Sequence, residues 1–449
     1  MALDMTRGKP LRLIVRFALP LMLSSMLQQL YTMCDSVIVG RLIGTEAFAA
    51  IGSSSFLQWF LTSMLIGLSQ GFGVVFAQRY GAKDHAGFRR AFAMGLTVVL
   101  IVAAILTGAG LALLQPFLRL LRTPGELWPY MAAYLRVMWM GLALTGLYNV
   151  CASALRALGD SRSPFIALVI ATALNIALDI LFLAAFGMGV EGAALATLIA
   201  QACALGYCLL SLRRLSFAMP RREDWRPERA TLRELLRLGV PPMLSFSVIS
   251  TGELAMQRAV NSYGVIFVTG MTASQRYFSL LNIIGSALEG AVATFVGQNA
   301  GAKQTERIVS GTRTAVWLGV VSSMITSALV MLFRKDLILL FVPAANAQAV
   351  QIGMDALFVE ATFLVSLYML CLHRAALQGM GNALIPMMSG FMELALRLLW
   401  VLWAAPNLVG REGLYFTDSV TWIGTAILLM TAYYVTRRRM IARLERAEA

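Results

Sequence analysis

Long apolar runs recur along the whole of this 449-residue chain. Each is near the roughly 20 residues an α-helix needs to cross a bilayer. Twelve such spans can be read: 15–40, 47–77, 88–114, 127–155, 163–187, 189–212, 235–262, 267–298, 309–333, 347–375, 383–404 and 414–436. Backbone groups in lipid must be satisfied internally, which leaves helices or closed barrels. The runs do not alternate apolar and polar as barrel strands do, so helices are expected. Composition points the same way: 59% of residues are hydrophobic and 13% charged. Soluble domains have about 45–50% and about 25%. The expected fold class is therefore all-α, a polytopic membrane protein. The first run is too long for a cleaved signal and lacks a small-residue cleavage site.

The formal net charge of +14 does not imply nucleic acid, because its distribution follows the membrane. With a cytoplasmic N-terminus, the even-numbered loops and both tails hold 27 of the 37 Lys and Arg, and the opposite loops hold six. Cytoplasmic loops carry such an excess in multi-pass proteins. The expectation is a cell membrane protein, prokaryotic inner membrane in type, with both termini cytoplasmic.

The two halves repeat. "LRLIVRFALPLMLS" from Leu11 matches "LRELLRLGVPPMLS" from Leu232 at a shift of 221. "AQRYGAK" (77–83) matches "GQNAGAK" (297–303) at 220, and "LGDSRSP" (158–164) matches "MGNALIP" (380–386) at 222. The reading is an N-terminal six-helix lobe (1–212), a basic cytoplasmic linker (213–231) and a C-terminal six-helix lobe (232–449). Six spans per half give both halves one orientation, hence a pseudo-two-fold axis along the membrane normal. Transporters with such halves bind at the midplane between repeats.

Acids inside membrane spans are costly and mark function by default. Asn175 and Asp179 share a helix face. Asp179 lies roughly 23 Å along span five from Pro164, and Thr197 lies roughly 10 Å into span six, so the two reach similar depths. Asp35, in "LYTMCDSVIVG", falls in the outer part of span one. Two carboxylates, an amide and a hydroxyl converging there suit a small cation or a shared proton. The bland alternative is a polar knot that fixes helix packing. In the second half Asp35 maps onto Met256 and Asp179 onto Val401, so an ion site of this kind belongs to the first half alone.

The segments "LYTMCDSVIVGRLIGTEAFAAIG" (30–52), "GQNAGAK", "LRALGDSRSPF" (155–165), "NIALD" (175–179) and "GAALAT" (192–197) resemble the multidrug and toxic compound extrusion (MATE) family. That family sits in a superfamily with lipid and polysaccharide flippases. The resemblance implies two six-helix lobes and export of organic cations against entering H+ or Na+. It places Asp35, Asn175, Asp179 and Thr197 at the family's cation site, with Na+ there as the one metal it admits. Relatives often have proline after "NIALD", where this chain has Ile180, so a different kink is expected. An acid in span seven serves the ion in some relatives, which makes Glu253 a lesser candidate.

Gln28, Gln29, Tyr31, Glu253, Arg276, Glu289 and Glu360 are lesser candidates for a substrate cavity; packing or local pairing is the alternative for each. Glu393 and Arg397, four apart, read as a buried ion pair along one helix. The five cysteines and two histidines lack metal-ligand spacing. No G-x-x-x-x-G-K-[ST] run occurs, so ATP is not expected to drive transport by that device. "GLSQG" (67–71) has the nucleophile-elbow spacing without its strand and reads as close helix packing. No cofactor is expected beyond the coupling ion. Expected partners are a small-molecule substrate and membrane lipid, no nucleic acid, in a monomer. A flippase for a lipid-linked sugar is the near rival, with the intramembrane Arg136, Arg258, Arg276 and Arg397 in its favour. A membrane-embedded transferase is the remote one, and short loops and repeated halves speak against it.

Overall fold

The computed structural model describes residues 3–120, 123 and 125–448. Arg122, one of the six basic residues assigned above to the opposite loops, lies outside them. The described residues form helices joined by short turns, without strands. In order come α1 (Pro10–Leu42), α2 (Thr45–Gly81), α3 (His85–Leu120), α4 (Trp128–Met140), α5 (Leu142–Ala157), α6 (Arg162–Asp179) and α7 (Val190–Arg213). Then follow α8 (Arg229–Asn261), α9 (Val265–Gly301), α10 (Thr305–Leu339), α11 (Ala347–Gly379), α12 (Leu384–Leu399) and α13 (Thr417–Glu448).

Ten of these, two of them extended by a π turn, are long and apolar enough to cross a membrane. There are eleven when α4 and α5, bent by 48° about Gly141, count as one span. α8 is equally long, at 33 residues. Its first turns carry Arg229, Arg233 and Arg237 and its last Glu253 and Arg258, which dilute the apolar middle. With α8 the elements match the twelve spans read from the sequence.

The repeat is visible in the backbone. Two non-glycine residues among those described have positive φ: Lys83 at 59° and Lys303 at 57°. They occupy the same place in the two "GAK" segments. An L-residue in this region costs roughly 1–2 kcal/mol, so the turn geometry imposes it twice. Gly44 and Gly264 pair likewise, at 124° and 84°, and so do Gly159 and Gly381, at 80° and 83°. Each precedes a helix that the turn must launch at a new angle. α6 passes into a π turn at Ile180–Ala185, and α12 does so at Trp400–Val409. π turns inside helices often mark functional sites; here the first begins at the residue after Asp179.

The chain forms two compact units. Unit 1 is Leu23–Met243 with the N-terminal residues through Asp4; unit 2 is Met5–Met22 with Leu244 to the C-terminal end. α1 and α8 are thus each divided, two residues after Pro20 and one after Pro242 respectively. In unit 1, α8 lies against the glycines of "GLSQG". A Cβ on Gly67 would meet the Met243 backbone at 2.8 Å. In unit 2, Met5 is fully buried; its N–H donates to Gln298 Oε1 at 2.8 Å and its carbonyl accepts from Asn299 and Arg307.

Residues 213–231 dock on unit 1. Phe217 stacks on Tyr80 and meets the tilted His85 ring, Ala218 is buried, and the buried Asp224 accepts from Arg89 Nε at 2.9 Å.

Candidate cation site in unit 1

Asp35 and Tyr31 come from α1, Asn175 and Asp179 from the last turns of α6, and Thr197 from the second turn of α7. Asp179 and Asn175 are completely buried, while Asp35 is half-buried. The Asp35 and Asp179 carboxyls come within hydrogen-bonding reach of each other. Asn175, with its amide turned to satisfy both neighbours, donates to Asp179 Oδ2 at 2.9 Å and lies 3.2 Å from the Thr197 backbone N–H. Tyr31 Oη and Thr197 Oγ1 share a hydrogen bond at 3.2 Å. Asp35, Asn175, Asp179 and Thr197 are thus brought together, and Tyr31 joins them.

This arrangement is rich in acceptors. Two carboxylates within such reach repel unless a proton or cation lies between them. Asp35 Oδ1 and Asp179 Oδ1 are buried and find no hydrogen-bond partner among the described residues. One helical turn further along the same three helices, Val39, Leu183, Val190 and Ala193 pack with Ala47 into an apolar cluster. That cluster closes the acid pair from the side of the α1–α2 and α6–α7 turns. Tyr134 of α4 packs against it and lies within electrostatic reach of both acids. Sequence reading missed Tyr134, because a tyrosine in an apolar span looks like core.

The matching positions in unit 2 show what replaced the site. At the same repeat shifts, Asn175 corresponds to Arg397, Thr197 to Asp418 and Tyr31 to Gly252. Arg397 donates to Asp418 Oδ1 at 2.6 Å. A Cβ on Gly252 would stand 3.2 Å from Arg397 Cδ, so the guanidinium stem runs where unit 1 holds the Tyr31 side chain. Met256 and Val401, the counterparts of Asp35 and Asp179, lie in one apolar cluster with Phe267 and Tyr415. Unit 2 thus carries a fixed ion pair where unit 1 carries open acceptors.

The ion pair expected between Glu393 and Arg397 does not form. Glu393 accepts from Arg374 of α11 and Arg397 is committed to α13. Both side chains leave their own helix face for partly buried partners on neighbouring helices, where the attraction is screened less than in the open.

The remaining candidates scatter. Gln28, Gln29, Arg276 and Glu253 are exposed, Glu253 within reach of Arg397 and Asp418. Glu289 hydrogen bonds with Cys371 and lies near Arg374. Glu360 is buried in unit 2. No group of three or more His, Cys, Asp and Glu able to hold a metal occurs among the described residues.

Comparison with known proteins gives a consistent result. Residues 20–181 and 241–401 each match the family model described as MatE. A protein of Bacillus subtilis named probable multidrug resistance protein YpnP is 34% identical over 352 residues, 78% of each chain. A second, probable multidrug resistance protein YoeA, is 30% identical over 333 residues, 72% of each. The solved structure of a MOP superfamily transporter from Pyrococcus furiosus superposes with a TM-score of 0.89 at 24% identity, covering 98% of both chains.

Proposed function

The chain belongs to the MatE family, and on that premise we propose that it is a cation-coupled antiporter of the cell membrane that exports organic, chiefly cationic, small molecules. The carrying observation is the approach of the half-buried Asp35 carboxyl to the fully buried Asp179 in unit 1, with Asn175 and Thr197 around them. The relatives' names supply the efflux class. H+ or Na+ is the coupling ion in this reading, and no other cofactor takes part. Substrate and membrane lipid are the partners, and the working unit is a monomer with both termini in the cytoplasm.

In this reading a cation entering from outside neutralises the acid pair. The packing that tolerates the neutral site is then favoured, and cytoplasmic substrate exchanges with the ion as the halves rock. The ion drives the change only through its different affinity for the two states. A complete switch, from 1:99 to 99:1, needs about 5.5 kcal/mol of such difference. The flippase reading loses support from the ion pairing in unit 2: Arg397 is neutralised by Asp418, one of the four arginines that favoured a cationic cavity.

The test is export by reconstituted protein under separately imposed H+ and Na+ gradients. Asp35→Asn preserves shape and hydrogen bonding but fixes the charge at zero. It is expected to fold normally and to lose gradient-driven export. Export at the wild-type rate against a gradient would leave Asp35 only structural and end this mechanism.

A further inference from the structure

Among its described residues, unit 2 contains one deeply buried acid that its arginines leave without a partner. Arg374 holds Glu393, with Glu289 beside it. Arg397 holds Asp418, with the exposed Glu253 beside it. Glu360 has neither. It lies on α11, is only 5% exposed, and its Oε2 is shut off from solvent with no hydrogen-bond partner among the described residues.

The surroundings of Glu360 define what it can hold. Ser274 of α9, itself fully buried, faces the carboxyl, and its hydroxyl also has no partner of good geometry. Asp418 of α13 lies within electrostatic reach, and it is already paired. Ala356, Val359 and Phe363, within a turn of Glu360 on α11, belong to or pack on the apolar cluster of Met256, Met271 and Val401. An isolated carboxylate in such a place is penalised by several kcal/mol, and a group so situated neutralises instead. The occupant must therefore carry one positive charge. It must also be small, because Oε2 is closed to water. A metal ion of charge +1 would need several oxygens, and Glu360 and Ser274 offer few. A proton needs one.

We propose that Glu360 is a proton-binding site of unit 2, with the Ser274 hydroxyl as hydrogen-bond partner of the carboxylic acid. It is separate from the acid pair of unit 1. It is also absent from the repeat: at the 222 shift, Glu360 corresponds to Met138. Asp35 and Asp179 correspond to Met256 and Val401. Each unit thus has an acid where the other has an apolar side chain. A role for this proton in transport rests on the antiporter reading; its presence does not.

Infrared difference spectra of the full-length protein in detergent at neutral pH test the assignment without any transport measurement. Wild type minus Glu360→Gln should show one carbonyl band of a protonated carboxylic acid, lost in the variant. The same loss is expected in an Asp35→Asn, Asp179→Asn background, which removes the acids of unit 1. Ser274→Ala should shift that band without removing it. No band lost with Glu360→Gln overturns the proposal. So does a melting temperature raised by sodium in wild type but not in Glu360→Gln, which would make the occupant a metal ion. Should Glu360→Gln fail to fold, Ser274→Ala decides: carboxylic-acid bands that do not move overturn the pairing. If Asp35→Asn still exports normally while the Glu360 band is present, the coupling reading fails and this one stands.

Discussion

Gly71 and Leu238 meet without a side chain between them: a Cβ on Gly71 would lie 2.0 Å from the Leu238 carbonyl oxygen. Helices α2 and α8 touch backbone to backbone there. Small residues permit such approach in membranes, where packing rather than water drives helix association.

Gly71→Val should therefore expel α8 from its seat. The expected loss is about 3 kcal/mol or more, since overpacking against backbone cannot relax by rotamer change. Gly108→Ala, where nothing lies within 4 Å of the added carbon, should remain within about 1 kcal/mol of wild type, on the stabilising side. Melting in detergent checks both; an equal response from the two variants would contradict the contact.

Thr197→Ala and Tyr31→Phe should weaken coupling rather than abolish it. Each removes one neutral hydroxyl from the 3.2 Å hydrogen bond they share, worth about 0.5–1.5 kcal/mol. That corresponds to roughly 2- to 13-fold in cation affinity. Asp179→Asn should match Asp35→Asn in eliminating gradient-driven export. Half-saturating ion concentrations in liposomes separate the two classes. An Asp179→Asn protein no worse than Thr197→Ala would contradict the division between coupling acids and neutral ligands.

The docking of residues 213–231 should depend on acid pH. Burial by itself would raise the Asp224 carboxyl. Hydrogen bonds from the Arg221 N–H and from Arg89, with their charges, overcome that and hold it below its ordinary value. A lowered folded value contributes stability above the ordinary carboxylate range, near pH 3.9, and that stability is lost as pH falls through the folded value. Proteolysis within 213–231 should accordingly accelerate on acidification below about pH 4. In Asp224→Asn it should be fast at every pH. An Asp224→Asn protein as resistant as wild type at neutral pH would show that the ion pair does not hold the segment.

A cysteine introduced by Glu223→Cys should resist an impermeant thiol reagent applied to intact cells and react after permeabilisation. The motive is the 27-to-6 division of basic residues. Strong labelling from outside would invert the topology.

The helices and the repeat were legible because lipid restricts the backbone to few solutions and because the GAK and GD/GN turns demand particular dihedrals. The convergence of Asp35, Asn175, Asp179 and Thr197 was also legible: a polar group in an apolar run stands out, and helical rise converts position into depth. Partners across helices were not. Arg397 was matched to Glu393 because both lie on one helix face, whereas Asp418 lies 21 residues on, at the start of α13, where spacing along a helix gives no signal. Tyr134 and Ser274 gave no signal, since tyrosine and serine are ordinary in apolar spans. The π turn after Asp179 was foreshadowed only as a change of kink at Ile180. The missing proline did not reveal what form the backbone would take.

The division of α1 and α8 bears on how such a chain could have arisen. A polypeptide containing a single repeat would lack the helical segment that its own glycines are shaped to receive. Unit 1 is completed by residues up to Met243, and unit 2 by Met5–Met22, each lent by the other half of the sequence. A half-length ancestor would have finished its bundle by exchanging the first part of its first helix with a second copy. Fusion of the two genes would then have fixed an exchange that was already obligatory, and a cut made today in the linker would separate each bundle from a part it cannot replace.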